Sequence, residues 1–384
     1  MSTIEIFYFA KTTISFLNLL TEHIFIKRTL NSYRFILIMA EYCKCHEPHL
    51  DITIDENEIE KGAVEIIKAI RPSWPLDQLQ FKLFTNGITN KLVGVWYPGH
   101  YNEMVLVRVY GHKTDLLINR KDETRNIRIL YQAGYAHSLY ATFNNGLAYE
   151  FLEGVTLTPE TVRQPEIYTL IAKRMAQMHL LAPNHDEMSK DPVVWSKIEQ
   201  FMKLMPKEFS DPDKQLQFTK LIKPYAVLEK EYQFLKETLS KTNSPVVFSH
   251  NDLLLGNVIY NRDENIVTFI DYEYSGYNYQ AFDIANHFAE FPGLEFPDYS
   301  YFPEKHLQKT WLKVYLQTYN NTTKVPESEI NQLYDEVNKF VLLPHFLWGC
   351  WGLIQSLHSY IDFDYLRYAA IRFDEYFRKK AELF

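Results

Sequence analysis

The sequence predicts an α+β protein in two lobes, a small antiparallel β-sheet lobe followed by a mainly helical one around a shared cleft. Three observations carry this. Short alternating or β-branched runs, split by turn residues, crowd residues 79–151. From about residue 170 the apolar spacing changes to that of helices. A length of 384 residues allows two domains or two lobes.

The elements follow in order. Residues 58–70 put Ile59, Ala63, Ile66, Ile67 and Ile70 on one helix face, and Pro72 and Pro75 end it. Runs 79–84, 91–97 and 104–110 read as an antiparallel meander. The turn Thr85-Asn86-Gly87-Ile88-Thr89-Asn90 has two readings: a plain hairpin turn, or a loop whose N–H groups and Thr89 hydroxyl cover phosphates. Arg108 lies inside the third strand between Leu106 and Tyr110, and a charge there wants a partner. The helix expected at 120–132 offers Asp122 and Glu123. Such a cation–carboxylate pair holds nucleotide phosphates in kinase-type folds; a structural ion pair or an exposed edge position is the other reading. Runs 138–143 and 146–151 form a second hairpin closed by Asn144-Asn145-Gly146. The boundary falls at 150–154, where free backbone groups would meet a purine edge. The lobes are therefore 39–152 and 153–384. Helices are expected at 171–181, 197–205, one long run 215–239, 280–291, 304–319, 327–340, 342–360 and 364–380. Short strands are expected at 245–248, 257–260 and 266–270.

Residues 1–38 differ from the rest, being apolar, β-branched and slightly basic in a chain of net charge −8. No run there reaches ~18 apolar residues, which argues against stable membrane insertion. Glu5 precedes any basic residue, unlike a secretory signal. An extension packed on the body, a weak membrane-targeting segment and sequence upstream of the native chain are the three readings, and Met39 is the favoured functional start. The acidic balance lacks the basic footprint of a nucleic-acid binder. Cys43, Cys45 and Cys350 form no disulfide framework, which suits the cytoplasm. The Cys43-Lys44-Cys45-His46 spacing is too tight for a structural zinc site and no second ligand pair follows.

Chemistry concentrates in residues 249–290. His250, Asp252, Asn257 and Asp271 form H-x-D-x-x-x-x-N, then strand–turn–strand, then Asp. Asp252 has the chemistry to orient and deprotonate a hydroxyl, and Asn257 and Asp271 to present oxygens to Mg2+ on a nucleotide. His250 reads as a structural brace. In the last third Trp348 and Trp351 share a helix face with Gln355. They are either core or, with Glu290, walls for an organic cation.

Taken together, the segments FTNGITNKLVG (84–94), VLVRVYG (105–111), FNNGLAYEFLEG (143–154), HNDLLLGNVIY (250–260), FIDYEYSGYNYQAFDIANHFAEF (269–291), HFLWGCWGLIQS (345–356) and IDFDYLRYAAIRFDEYF (361–377) resemble the choline/ethanolamine kinase family, a branch of the protein-kinase-like fold, on its ethanolamine kinase side. The resemblance runs from about residue 55 to the end. It implies ATP as co-substrate, Mg2+ as cofactor, and phosphorylation of ethanolamine as the first step of the CDP-ethanolamine route to phosphatidylethanolamine. It implies Asp252 as catalytic residue and Asn257 and Asp271 as metal ligands. Asn86, Gly87, Ile88, Thr89 and Asn90 become the phosphate loop, Arg108 and Glu123 the basic residue and its helix partner, and Glu150, Phe151 and Leu152 the adenine contacts. Asp252, Tyr274, Glu290, Trp348, Trp351 and Tyr368 line the amino-alcohol pocket. The alternatives are a choline kinase, a non-catalytic kinase-like binding protein and an antibiotic phosphotransferase. Residues 291–295 depart from the aromatic pattern that choline kinases tend to show, and Asn86 stands where relatives usually carry an acidic residue.

Overall fold

Alternation builds the first part of the molecule. The computed structural model describes residues 47–84, 90–111, 113–183 and 188–384, of which residues 50–384 form one compact unit. Helix α1 (Ile59–Ile70) leads into strands β1 (Gln80–Phe84), β2 (Lys91–Trp96) and β3 (Val105–Val109). After helix α2 (Arg120–Gln132) come β4 (Leu139–Phe143) and β5 (Gly146–Glu150). These five strands pair antiparallel in the order β4-β5-β3-β2-β1. Strand β3 is central and its two faces differ. Val105, Val107 and Val109 pack with Ile66 and Ile67 of α1 in one apolar core. Leu106 and Arg108 point the other way, into the cleft.

The helical part follows a two-residue strand, β6 (Val155–Thr156). It contains α3 (Pro165–His179), α4 (Val193–Leu204), α5 (Pro212–Leu221), α6 (Tyr225–Leu239), α7 (Gln280–Ala289), α8 (Lys305–Tyr319), α9 (Glu327–Phe340), α10 (Leu342–His358) and α11 (Tyr365–Leu383). Four strands interrupt it: β7 (Val246–Ser249), β8 (Val258–Asn261), β9 (Ile266–Phe269) and β10 (Gly276–Tyr279). The single helix expected over 215–239 is two helices. Pro224 lacks an N–H and disfavours a helical Lys223, so α5 ends at Leu221 and α6 begins on Pro224 as its N-cap. Strand β10, for which the sequence pattern gives no element, pairs antiparallel with β7. The Glu327–His358 stretch is apolar and long enough to cross a membrane, but its most apolar window is 94% buried inside the protein.

Helix α10 is the core of the core: every residue from Leu342 to Gln355 is buried. Its glycines let α11 approach. A Cβ on Gly349 would lie 2.9 Å from the Phe373 ring, and one on Gly352 would lie 3.0 Å from Tyr368 Cδ1. The helix gives up ~1 kcal/mol per glycine for this close contact, which fixes where α11 places Tyr368.

Candidate active site

A cavity of about 690 Å3 is lined by residues of both the sheet and the helical part. Asn90, Arg108, Glu123, Glu150, Phe151, Leu152, Asp252, Asn257, Asp271, Tyr274, Glu290, Trp348, Trp351 and Tyr368 all line it. Asn86, Gly87, Ile88 and Thr89 lie outside the described residues, as do residues 1–38 and the Cys43–His46 group. Asn90 holds its turn by accepting from Gly111 N–H at 3.3 Å.

Helix α7 is the platform for the chemistry. Its apolar residues bury it entirely, so its polar side chains must find partners indoors. Asp283 accepts from the backbone N–H of His250 at 3.0 Å and of Asn251 at 2.7 Å. It also pairs with His179 Nε2 at 2.8 Å. Burial works against its charge, but these donors outweigh burial and hold the carboxyl below the usual range. One turn on, His287 Nδ1 donates to Leu253 O at 2.9 Å. Asn286 accepts from Trp348 Nε1 at 2.8 Å. The loop carrying Asp252 and the aromatic wall thus share one support.

Asn251 sits in the left-handed region at φ 67°. Its side chain donates to Tyr274 O at 2.9 Å and accepts from Asn278 Nδ2 at 2.8 Å. Next to it, Asp252 is half-buried among acids. Burial, with Asp271, Glu273 and Glu290 adding and Arg372 opposing, pushes its carboxyl well above the usual range. His250 is tied at both ring nitrogens: Nδ1 accepts from Asp252 N–H at 3.3 Å and Nε2 donates to Ile270 O at 2.9 Å. It has no nitrogen left for a substrate.

The oxygen donors are oriented by what the other ends of their side chains do. Asn257 Nδ2 donates to Asp252 O at 2.9 Å, which leaves Oδ1 available. Asp271, at φ 64°, accepts from Arg108 Nη1 at 2.9 Å through Oδ1 alone. Arg108 also bonds Glu123 Oε1, while Arg120 takes Glu123 Oε2 at 2.9 Å and Glu273 Oε2 at 3.1 Å. Glu123, Asp271 and Glu273 therefore present oxygens within 4.8 Å of one another, but Glu123 has both of its own engaged. Burial and the nearby Asp271, partly offset by Arg120 and Arg108, push Glu273 up to about 7. At the far edge of the cleft Glu150 N–H donates to Ser138 O at 3.0 Å and Phe151 N–H to Met104 O at 3.2 Å. Of the three N–H groups expected at the base, only that of Leu152 has no partner among the described residues.

The opposite end is aromatic. Tyr274 meets Trp348 edge-on at 5.2 Å between ring centroids, Trp348 meets Trp351 at 6.1 Å, and Trp351 meets Tyr368 at 6.0 Å. Glu290 caps the C-terminus of α7 and bonds Arg372 at 2.7 Å. It is therefore a paired carboxylate. Sequence reasoning passed over Arg120, Glu273, Asp283 and Arg372. The D-x-E spacing after β9 was a signal for Glu273, and a charged residue amid the apolar run FDIANHFAEF was one for Asp283. Nothing local marks Arg372.

A sheet carrying a buried Arg–Glu pair, set over a helical part whose loops present Asp, Asn and Asp to the same cleft, defines a phosphotransferase of protein-kinase-like fold. The chain belongs to the choline/ethanolamine kinase family, whose description matches residues 81–377. It is 45% identical to ethanolamine kinase 2 of Mus musculus, covering 88% of this chain and 85% of that one. It is 43% identical to ethanolamine kinase 1 of Homo sapiens, covering 88% and 76%. Among solved structures it is similar to an ethanolamine kinase of Plasmodium vivax, with a TM-score of 0.75 at 30% identity over 84% of this chain and 89% of that one.

Proposed function

We propose that this chain transfers the γ-phosphoryl group of ATP to the hydroxyl of ethanolamine, giving phosphoethanolamine and ADP. This is the first step of the CDP-ethanolamine route, and the cytoplasm is its place. One observation carries the residue roles: Asp252 lines a single cavity together with the oxygen donors, Arg108 and the aromatic residues. A hydroxyl brought in by an ammonium held at the wall meets Asp252 before it meets the phosphates.

Asp252 accepts the hydroxyl proton as the oxygen attacks the γ-phosphorus; the bond to the β-phosphate oxygen breaks and ADP leaves. Burial makes Asp252 a stronger base than a surface carboxylate. Arg108 is held in place by Glu123 and Asp271 and faces the phosphates as a fixed cation. Leu152 N–H is the donor for the base. The hard oxygens left on Asn257 and Asp271 fit Mg2+. When bound, the ion neutralises charge on the phosphate oxygens. Tyr274, Trp348, Trp351 and Tyr368 surround the ammonium with ring faces and edges, and Glu290 supplies an acceptor for its N–H groups. That acceptor favours ethanolamine over choline, whose nitrogen has no hydrogen to donate.

A coupled ADP-release assay with ethanolamine, choline and no acceptor tests this reading. Ethanolamine is expected to give the highest kcat/KM. Asp252→Asn is expected to lower kcat ~10^3-fold or more with KM for ATP little changed. A preference for choline would make the chain a choline kinase, and an unchanged rate in Asp252→Asn would remove Asp252 from the chemistry.

A further inference from the structure

Glu290 stands where a carboxylate is least comfortable. It is 3% exposed and caps the C-terminus of α7, the negative end of the helix dipole. A carboxylate there needs a cation, and Arg372 supplies it at 2.7 Å while itself 2% exposed. Burial alone works against the guanidinium's charge, but Glu290, with Tyr368 and Tyr299 adding, outweighs that and keeps it on. Arg372 comes from α11, four residues after Tyr368, so the helix face that carries Tyr368 into the pocket wall also carries Arg372, which sits behind that wall. The Arg372 guanidinium lies 5.8 Å from the Tyr368 ring centroid. Only Oε1 of Glu290 is engaged by Arg372, and the residue lines the cavity.

We infer that Arg372 is a positioning residue for substrate: it holds one oxygen of Glu290 so that the other faces the ammonium of the amino alcohol. The inference rests on the reading that Glu290 binds that ammonium. Arg372 itself does not line the cavity and acts through Glu290. A residue that merely stabilised the fold would change kcat and both Michaelis constants together, or only the melting temperature. A positioning residue changes one KM and depends on the residue it positions.

The test uses the full-length chain with Arg372→Met, Arg372→Lys, Glu290→Gln and the Glu290→Gln/Arg372→Met double variant. Steady-state constants are measured for ethanolamine and ATP. Glu290→Gln is expected to raise KM for ethanolamine ~10-fold or more, and Arg372→Met to do the same with KM for ATP within ~2-fold. In the Glu290→Gln background Arg372→Met should add less than ~2-fold. Arg372→Lys keeps a cation without the planar fork, falls between, and serves alone if the methionine variant does not fold. An unchanged KM for ethanolamine in the Arg372 variants, an equal rise in both backgrounds, or a parallel rise in KM for ATP overturns the inference. If Glu290→Gln itself leaves KM for ethanolamine unchanged, the reading beneath the inference fails instead, and the two failures are told apart by that variant.

Discussion

Asp283→Asn is the sharpest perturbation of the Asp252 loop that leaves every residue lining the cleft in place. Asp283 is wholly buried and accepts three hydrogen bonds, from His250 N–H, Asn251 N–H and His179 Nε2. The His179 ring is oriented for this because its Nδ1 accepts from Tyr315 OH at 2.7 Å. Asparagine keeps one acceptor oxygen and turns an NH2 group toward donors that cannot accept. At least one charge-assisted bond is lost, at ~1.5–3 kcal/mol, and one buried donor is left unmade at ~1–3 kcal/mol. A destabilisation of ~2.5–6 kcal/mol follows, out of the ~5–15 kcal/mol that a folded protein has. The loss also reaches the chemistry, because the left-handed Asn251 next to Asp252 is held from this side. A misplacement of ~1 Å costs on the order of 10^2 in rate, so kcat should fall ~10^2-fold while both KM values stay within ~3-fold. Urea denaturation followed by tryptophan fluorescence gives the first number and the coupled assay the second. A destabilisation under ~1 kcal/mol with kcat within ~2-fold would refute the reasoning.

Two further outcomes are expected elsewhere. His137 is buried in the lining of the cleft against Tyr149, and neither ring nitrogen has a partner among the described residues. Burial, with Arg108 adding, pulls it down to about 3. Below about pH 6.5 the unfolded chain therefore holds a proton that the native state refuses, and native stability falls by ~1.4 kcal/mol per pH unit for this one group. His137→Leu should stabilise the protein by ~1 kcal/mol at pH 7 and by ~2 kcal/mol more at pH 5. Denaturation midpoints at the two pH values check this, and an advantage that shrinks at pH 5 would contradict it. Gly352→Ala adds a Cβ 3.0 Å from Tyr368 Cδ1 and 3.2 Å from Tyr365 O. It should displace Tyr368 and raise KM for ethanolamine ~3–10-fold with KM for ATP unchanged.

The parts of the site legible in the sequence are those set by local spacing. Alternation marked β2 and β3 but left open whether Arg108 is paired in the interior or exposed at an edge. The H-x-D-x-x-x-x-N pattern, followed by a hairpin and Asp271, put three oxygen donors on one cleft because a hairpin returns the chain to its start. What escaped depends on partners far apart in sequence. Glu290 and Arg372 are 82 positions apart, and His179 and Asp283 are 104. Periodicity says that α7 is buried but not which of its polar groups faces which loop. The break between α5 and α6 was readable, since Pro224 stands in plain view; amphipathic spacing on both sides masked it.

The site contains two residues in the left-handed region. Asn251 adjoins Asp252, and Asp271 carries its own carboxylate into the cleft. Each costs on the order of 1 kcal/mol or more relative to relaxed backbone. Glycine would remove that cost at Asn251 but also the bonds to Tyr274 O and from Asn278 Nδ2. Asparagine tolerates the conformation and locks it. Between the two turns lies His250, which takes Asp252 N–H on one nitrogen and gives the other to Ile270 O, the residue before Asp271. Ile270 N–H in turn donates to Asn257 O at 3.0 Å. Asp252, Asn257 and Asp271 are thus three outlets of one hydrogen-bonded unit, anchored on Asp283 from behind. Displacing any of its members displaces all three side chains together, which is why the strain is held by side chains on separate elements rather than left to a flexible loop.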